Sequence, residues 1–154
     1  MKKRKTIAIV AHDNRKIDLI EWVEYNAVKL SKHKIVCTGT TGRLIEESFR
    51  NCLEPELFEH LELTKLKSGP LGGDQQLGSL IVEGLIDMMI FFWDPMMPQP
   101  HDVDVKALLR ITVLYNLPTA CNRSTADFLI SSALFNGEYL PRLDDFSGYI
   151  NRDL

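Results

Sequence analysis

Apolar and polar positions along the chain switch between two periods, and the switching points outline a series of elements. Thr6 to Ala11 is a short β-branched apolar run, the pattern of a strand covered on both faces. After the polar loop His12 to Lys16, Ile17, Ile20, Val23, Ala27 and Leu30 recur at helical spacing, with Glu21 and Glu24 off that face. Lys34 to Thr38 reads as a second strand and Gly39-Thr40-Thr41-Gly42 as a turn. Leu44, Ile45, Ser48, Phe49 and Cys52 form another helical face, ended or bent at Glu54-Pro55. Pro55 to Leu61 is ambiguous, and Leu63 to Leu66 reads as a third strand.

Ser68-Gly69-Pro70-Leu71-Gly72-Gly73-Asp74-Gln75-Gln76 then forces an irregular backbone straight into a helical pattern, Leu77, Leu80 and Ile81. That helix runs to about Gly84, which reads as its C-cap. Ile86 to Trp93, the most apolar run, predicts a central parallel strand and is too short to span a membrane. A loop with Pro95, Pro98 and Pro100 leads to a helix on Val105, Leu108, Leu109 and Thr112, ending near Asn116. Pro118 to Cys121 is the last strand, Ala126, Leu129, Ile130 and Ala133 mark a fifth helix, and the remainder reads as a polar tail. Strand and helix thus alternate five times. This predicts a three-layer α/β/α fold, Rossmann-like, with a five-stranded parallel sheet, right-handed crossovers and a ligand site outside the carboxyl ends of the strands.

The conspicuous polar clusters all fall just after a strand: His12-Asp13, Thr38 to Gly42, Ser68 to Asp74, and Asp94 to Asp104. Their convergence on one rim is stronger evidence for a site than any one loop. Thr38, Thr40 and Thr41 offer hydroxyls and a glycine-rich backbone at a helix start, a description of a phosphate site or simply of a turn with Thr40 or Thr41 as N-cap. It is neither a Walker loop nor a dinucleotide fingerprint. Lys16 could add a cation or be solvated surface. Gly72 and Gly73 allow close ligand approach, and Asp74 is aimed at the same place, as a base or as a helix cap. His101 could pass protons between neighbouring oxygens, with Asp102 or Asp104 orienting it, or be exposed beside a capping Asp102. His12, Asp13, His101 and Asp102 or Asp104 also allow a metal reading, but the apparent phosphate donors are uncharged and need no metal bridge.

Composition narrows the classes. The 154 residues suit one domain, and 45% hydrophobic residues suffice for one core. A net charge of -3 implies neither a nucleic-acid surface nor a disordered acidic tail. Cys37, Cys52 and Cys121 fit no disulfide framework or zinc pattern and read as reduced, buried and cytoplasmic. Lys2-Lys3-Arg4-Lys5 is most simply a solvated end before the first strand, since the apolar run behind it is too short for a signal peptide.

These motifs resemble the methylglyoxal synthase family almost end to end. The resemblance is carried by Ala11-His12-Asp13, Thr38 to Gly42, the loop Ser68 to Gln76, Phe91 to Pro95, His101-Asp102-Val103-Asp104-Val105-Lys106-Ala107-Leu108 and Thr125-Ala126-Asp127. It implies a methylglyoxal synthase-like fold and conversion of dihydroxyacetone phosphate to methylglyoxal and inorganic phosphate, with no metal or organic cofactor. By resemblance Asp74 is the base, and His101 acts on the carbonyl and enediol oxygens. Asp13, Asp104 and His12 line and support the site. Lys16, Thr38, Thr40, Thr41, Ser68 and Gly69 hold phosphate. An arginine from a neighbouring subunit, Arg152 or else Arg142, completes the site. The expected assembly is a homo-oligomer, often a hexamer. Residues 1–154 are expected to form one domain with 137–154 as a tail at a subunit interface, and no nucleic acid or membrane partner. Val103 stands where family members usually have proline, and Cys121 where threonine is common, the latter a change expected in the core. Two other readings of the rim are a non-catalytic sensor of a phosphorylated metabolite and a metal-dependent phosphohydrolase.

Overall fold

The computed structural model describes residues 1–98 and 100–151. Five strands, β1 (Thr6–Ala11), β2 (Lys34–Cys37), β3 (Glu62–Lys65), β4 (Met88–Phe92) and β5 (Thr119–Ala120), form one sheet in the order β3-β2-β1-β4-β5. Every neighbouring pair is parallel. The helices are α1 (Lys16–Tyr25), α2 (Ala27–Leu30), α3 (Gly39–Cys52), α4 (Pro55–Glu59), α5 (Gly73–Val82), α6 (Asp102–Leu114), α7 (Arg123–Ser131) and α8 (Ser147–Ile150).

The strand period of two divides the core. Ile7, Ile9 and Ala11 of β1, with Ile35, Cys37, Met88, Ile90 and Phe92, face a layer built from α1, α2, α3 and α7. Ala8 and Val10, with Val36, Met89 and Phe91, face α5 and α6 through Leu77, Ile81, Val105 and Leu108. Both faces of β1 and β4 are covered, which is why those segments read as unbroken apolar runs. The same parity aims the site. One step beyond β1, His12 falls on the side of Ala8 and Val10, and Thr38 falls on the side of Val36. The His12 N–H still bonds the Phe92 carbonyl at 3.2 Å, so the ladder carries its side chain into position.

Several expectations need correction. Gly39 to Gly42 is no turn: it is the first turn of α3, with Thr38 extended at the N-cap and making no side-chain cap bond. Glycine and threonine are weak helix formers, but Ile45, Ser48 and Phe49 packing beneath outweighs that preference. The buried face of α1 is Leu19, Trp22 and Val23; Ile17 is 86% exposed. The ambiguous stretch after Glu54 resolves into a short helix that Pro55 opens. Cys37 is buried, but Cys52 is exposed and Cys121 only partly covered, so the expected burial holds for one thiol. Lys5 is not solvated: it is 1% exposed and its ammonium donates to the Gly137 carbonyl at 2.8 Å. Ala133 lies past the end of α7 and is exposed, and the tail carries the short helix α8. Among the described residues no helix is long and apolar enough to cross a membrane.

Candidate active site

The loops after β1, β2, β3 and β4 close around a cavity of about 270 Å³. Its neutral end comes from the start of α3 and the loop after β3: Thr38, Thr40, Thr41 and Ser68 line it, and Gly69, next in that loop, lies against His101 and Asp74. The Gly39 N–H is engaged by the Lys67 carbonyl, while those of Thr40 and Thr41 have no partner among the described residues. A helix leaves its first N–H groups unpaired, and two of them here border the cavity beside hydroxyls, which suits an anion. Lys16, at the start of α1, also lines the cavity and pairs with Asp13.

The other end is made by Asp74, His101 and His12, over a wall of Val10, Ala11, Phe91 and Pro70. Glycines make this end possible. Gly72, with φ +98°, is the N-cap of α5 in the left-handed region that glycine tolerates. A Cβ on Gly73 would lie 2.1 Å from the Lys67 carbonyl oxygen. A Cβ on Gly69 would lie 2.9 Å from His101 Nε2 and 3.1 Å from Asp74 Oδ2. Asp74 therefore does not cap its helix; Gly72 does, and the Asp74 carboxylate is turned into the cavity, 5% exposed.

Asp74 Oδ2 stands 3.5 Å from His101 Nε2. Burial pushes the Asp74 carboxyl up from the ordinary aspartate range, with the nearby His101 opposing and Asp104 reinforcing that shift. Burial also lowers His12, keeping its imidazole neutral, and the neighbouring His101 adds to this. The two rings meet edge to face with centroids 6.0 Å apart. His12 Nε2, Asp74 Oδ2 and His101 Nδ1 are buried polar atoms with no hydrogen-bond partner among the described residues. Unsatisfied buried polar atoms are costly, and three around one cavity mark a place built for a polar ligand.

The cavity thus gathers His12, Asp13, Lys16, Thr38, Thr40, Thr41, Ser68, Gly69, Asp74 and His101. Asp104 does not line it; with Asp74, it borders a second cavity between α5 and α6 and acts on Asp74 through its charge. Neither Asp102 nor Asp104 bonds the His101 ring, whose Nδ1 has no partner; the His101 carbonyl instead accepts the Asp104 N–H that starts α6. Val103 is 80% exposed in the first turn of α6. Among the described residues no three or more His, Cys, Asp and Glu side chains are grouped to hold a metal. Arg152 lies outside the described residues, and Arg142 is exposed, its carbonyl accepting from the Asn116 amide.

One participant went unassigned in the sequence. Asp94 is buried at the end of β4, and its N–H donates to His12 Nδ1 at 3.2 Å. A carboxylate directly after the most apolar run was the signal for it. Asp127, part of the resemblance, sits away from the cavity and accepts the Trp22 indole N–H at 2.8 Å, tying α7 to α1.

The parallel α/β sheet with a carboxylate–imidazole pair in a cavity at its rim belongs to an MGS-like domain: the MGS-like domain model matches residues 18–121. Over its full length it is 58% identical to the methylglyoxal synthase of Maridesulfovibrio salexigens, 100% of each chain being covered. It is 54% identical to that of Oleidesulfovibrio alaskensis, over 99% of this chain and 97% of the other. The crystal structure of methylglyoxal synthase from Elizabethkingia anophelis superposes with a TM-score of 0.89 at 50% identity, covering 100% of this chain and 95% of that one. The chain belongs to the methylglyoxal synthase family.

Proposed function

We infer that this protein is a lyase that converts dihydroxyacetone phosphate to methylglyoxal and inorganic phosphate. The observation that carries the chemistry is the pairing of Asp74, raised toward basicity by burial, with an imidazole 3.5 Å away in a cavity whose far end offers neutral donors. Asp74 removes a proton from the hydroxymethyl carbon. Negative charge develops on the carbonyl oxygen, where His101 and His12 donate. The enediolate then expels phosphate when the C–O bond stands out of its plane, and Thr38, Thr40, Thr41, Ser68, Gly69 and Lys16 hold and stabilise the leaving anion; the enol left behind takes up a proton on its terminal carbon and becomes methylglyoxal. Asp104 supports the base by keeping a second negative charge behind it. No organic cofactor enters this scheme.

The protein works as a cytoplasmic homo-oligomer, a hexamer by resemblance, and residues 1–154 form one domain. The tail from 137 lies at a subunit interface, bringing Arg152 or Arg142 to a neighbouring site. By removing a triose phosphate without forming a nucleotide, the reaction bypasses lower glycolysis. Incubation with dihydroxyacetone phosphate, with and without a chelator, tests the reading. Trapped dicarbonyl and phosphate released in equal amounts, unaffected by chelator, are expected. Phosphate released with dihydroxyacetone and lost on chelation would make it a phosphohydrolase, and binding without product a sensor.

A further inference from the structure

Asp94 is the junction of three hydrogen bonds at the rim. Its N–H donates to His12 Nδ1 at 3.2 Å, its Oδ2 accepts from the Asn14 side-chain amide at 2.9 Å, and its Oδ1 accepts from the Met96 N–H at 3.0 Å. Asp94 is buried and Asn14 exposed. The loop that leaves β1 is therefore stitched to the loop that leaves β4 and leads to His101. An imidazole nitrogen that accepts a hydrogen bond carries no proton, so the proton of neutral His12 sits on Nε2. That nitrogen is the buried, unpartnered one of His12, a residue of the cavity lining.

We propose that Asn14 is a positioning residue: its amide holds the Asp94 carboxylate and, through the Asp94 backbone, keeps His12 as the Nε2–H tautomer that donates to a substrate oxygen. This rests on reading the cavity as the dihydroxyacetone phosphate site. Asn14 does not line the cavity and touches no reacting atom. Without its amide the Asp94 carboxylate loses a donor it cannot replace while buried, and it turns toward water. That movement drags the adjoining N–H away from His12 Nδ1. The ring is then free to carry its proton on Nδ1, leaving a lone pair at Nε2 where a donor is needed. A lone pair facing an oxygen that gains negative charge opposes the reaction. The charge develops in the transition state, so the loss falls on kcat rather than KM. The hydroxyls and N–H groups that grip the anion come from the start of α3 and the loop after β3, whereas the Asn14 side chain bonds Asp94.

Two substitutions separate the hydrogen bond from the bulk of the side chain. Asn14→Leu keeps the branched shape without a donor. Asn14→His restores a donor, because histidine Nδ1 is as many bonds from Cα as asparagine Nδ2. Asn14→Leu is expected to lower kcat about tenfold with KM within about twofold, the scale of one hydrogen bond to a charged group, and Asn14→His to recover most of it. Nitrogen NMR of ring-labelled histidines, with the His12 signals identified by their loss in His12→Gln, reads the tautomer directly. The wild type should show His12 as Nε2–H, and Asn14→Leu a mixture of tautomers. An Asn14→Leu enzyme with wild-type kcat and an unchanged His12 signal overturns the proposal, as does an Asn14→His enzyme as slow as Asn14→Leu. A wild-type protein that makes no methylglyoxal defeats the functional reading alone, and the NMR comparison then decides the positioning role by itself.

Discussion

Asp13, in the loop after β1, and Asp74, in the first turn of α5, border the same cavity in opposite surroundings. The Asp13 side chain is 90% exposed and bonded to the Lys16 ammonium, which holds its carboxyl below the usual aspartate range. Asp74 is buried, carries an oxygen without a hydrogen-bond partner, and is pushed above that range by desolvation. One carboxylate is fixed as a charge beside a cation, and the other is left basic. Two residues of one chemical type are thereby suited to different tasks by environment alone. The same division separates the two ends of the cavity: donors for an anion at one, and a base with imidazoles at the other.

The comparison is broken most severely at Asp74. Asp74→Asn should lower kcat by about 10³-fold, the scale of losing a general base, while calorimetric titration finds inorganic phosphate bound nearly as before. The equivalent change at Asp13 should cost far less; equal losses from the two would end the distinction between them. Gly69→Ala comes next. Its methyl group would push into both His101 Nε2 and Asp74 Oδ2, and a misplacement near 1 Å costs about 10²-fold in rate. Steady-state kinetics with an unchanged circular dichroism spectrum would isolate that effect, and wild-type turnover would show that the pair needs no such close alignment.

Smaller effects sharpen the contrast. Lys16→Met should weaken phosphate binding about tenfold, removing one charge-assisted contact, and let the Asp13 carboxyl return toward its ordinary value. Carbon NMR of labelled aspartates against pH reads the second effect; an Asp13 titration that stays put would mean that Lys16 is not its partner in solution. The smallest effect is on stability. The folded-state pKa of Asp74 is raised above its unfolded value, so protonation favours folding, and that contribution fades as pH rises through the folded value. At pH 8 the ionised carboxylate opposes folding. Asp74→Asn should then raise Tm at pH 8, with the gain fading as pH falls into the ordinary aspartate range, where both states hold the proton. A variant no more stable than wild type at pH 8 would mean that Asp74 is better solvated than its burial implies.

Much of this site was legible beforehand because each residue follows a strand. His12, Thr38 and Asp74 were found where periodicity changed, and their polarity had no explanation as core. Asn14 was not legible: an asparagine in a polar loop looks the same whether it faces water or a carboxylate 80 residues away. Lys5 misled for a related reason. Four basic residues in a row suggest a solvated end, yet the carbonyl that removes Lys5 from water belongs to Gly137, which no local pattern could place beside it. Gly39 to Gly42 misled through propensity, since its helix is imposed by packing farther along α3.

By itself, the sequence determined the five alternations, the parallel sheet and the rim that carries the polar clusters, because period and parity are local properties of a chain. Only the tertiary structure decided that burial raises the Asp74 carboxyl, that Gly72 rather than a side chain occupies the N-cap of α5, and that the Asp94 N–H faces His12 Nδ1. Each of these depends on which groups lie within a few ångströms after folding. The Asp13 partner, Lys16, lies three residues along the chain, but the burial and charges that set the proton affinity of Asp74 come from neighbours in space, His12, His101 and Asp104, on segments far apart in the chain.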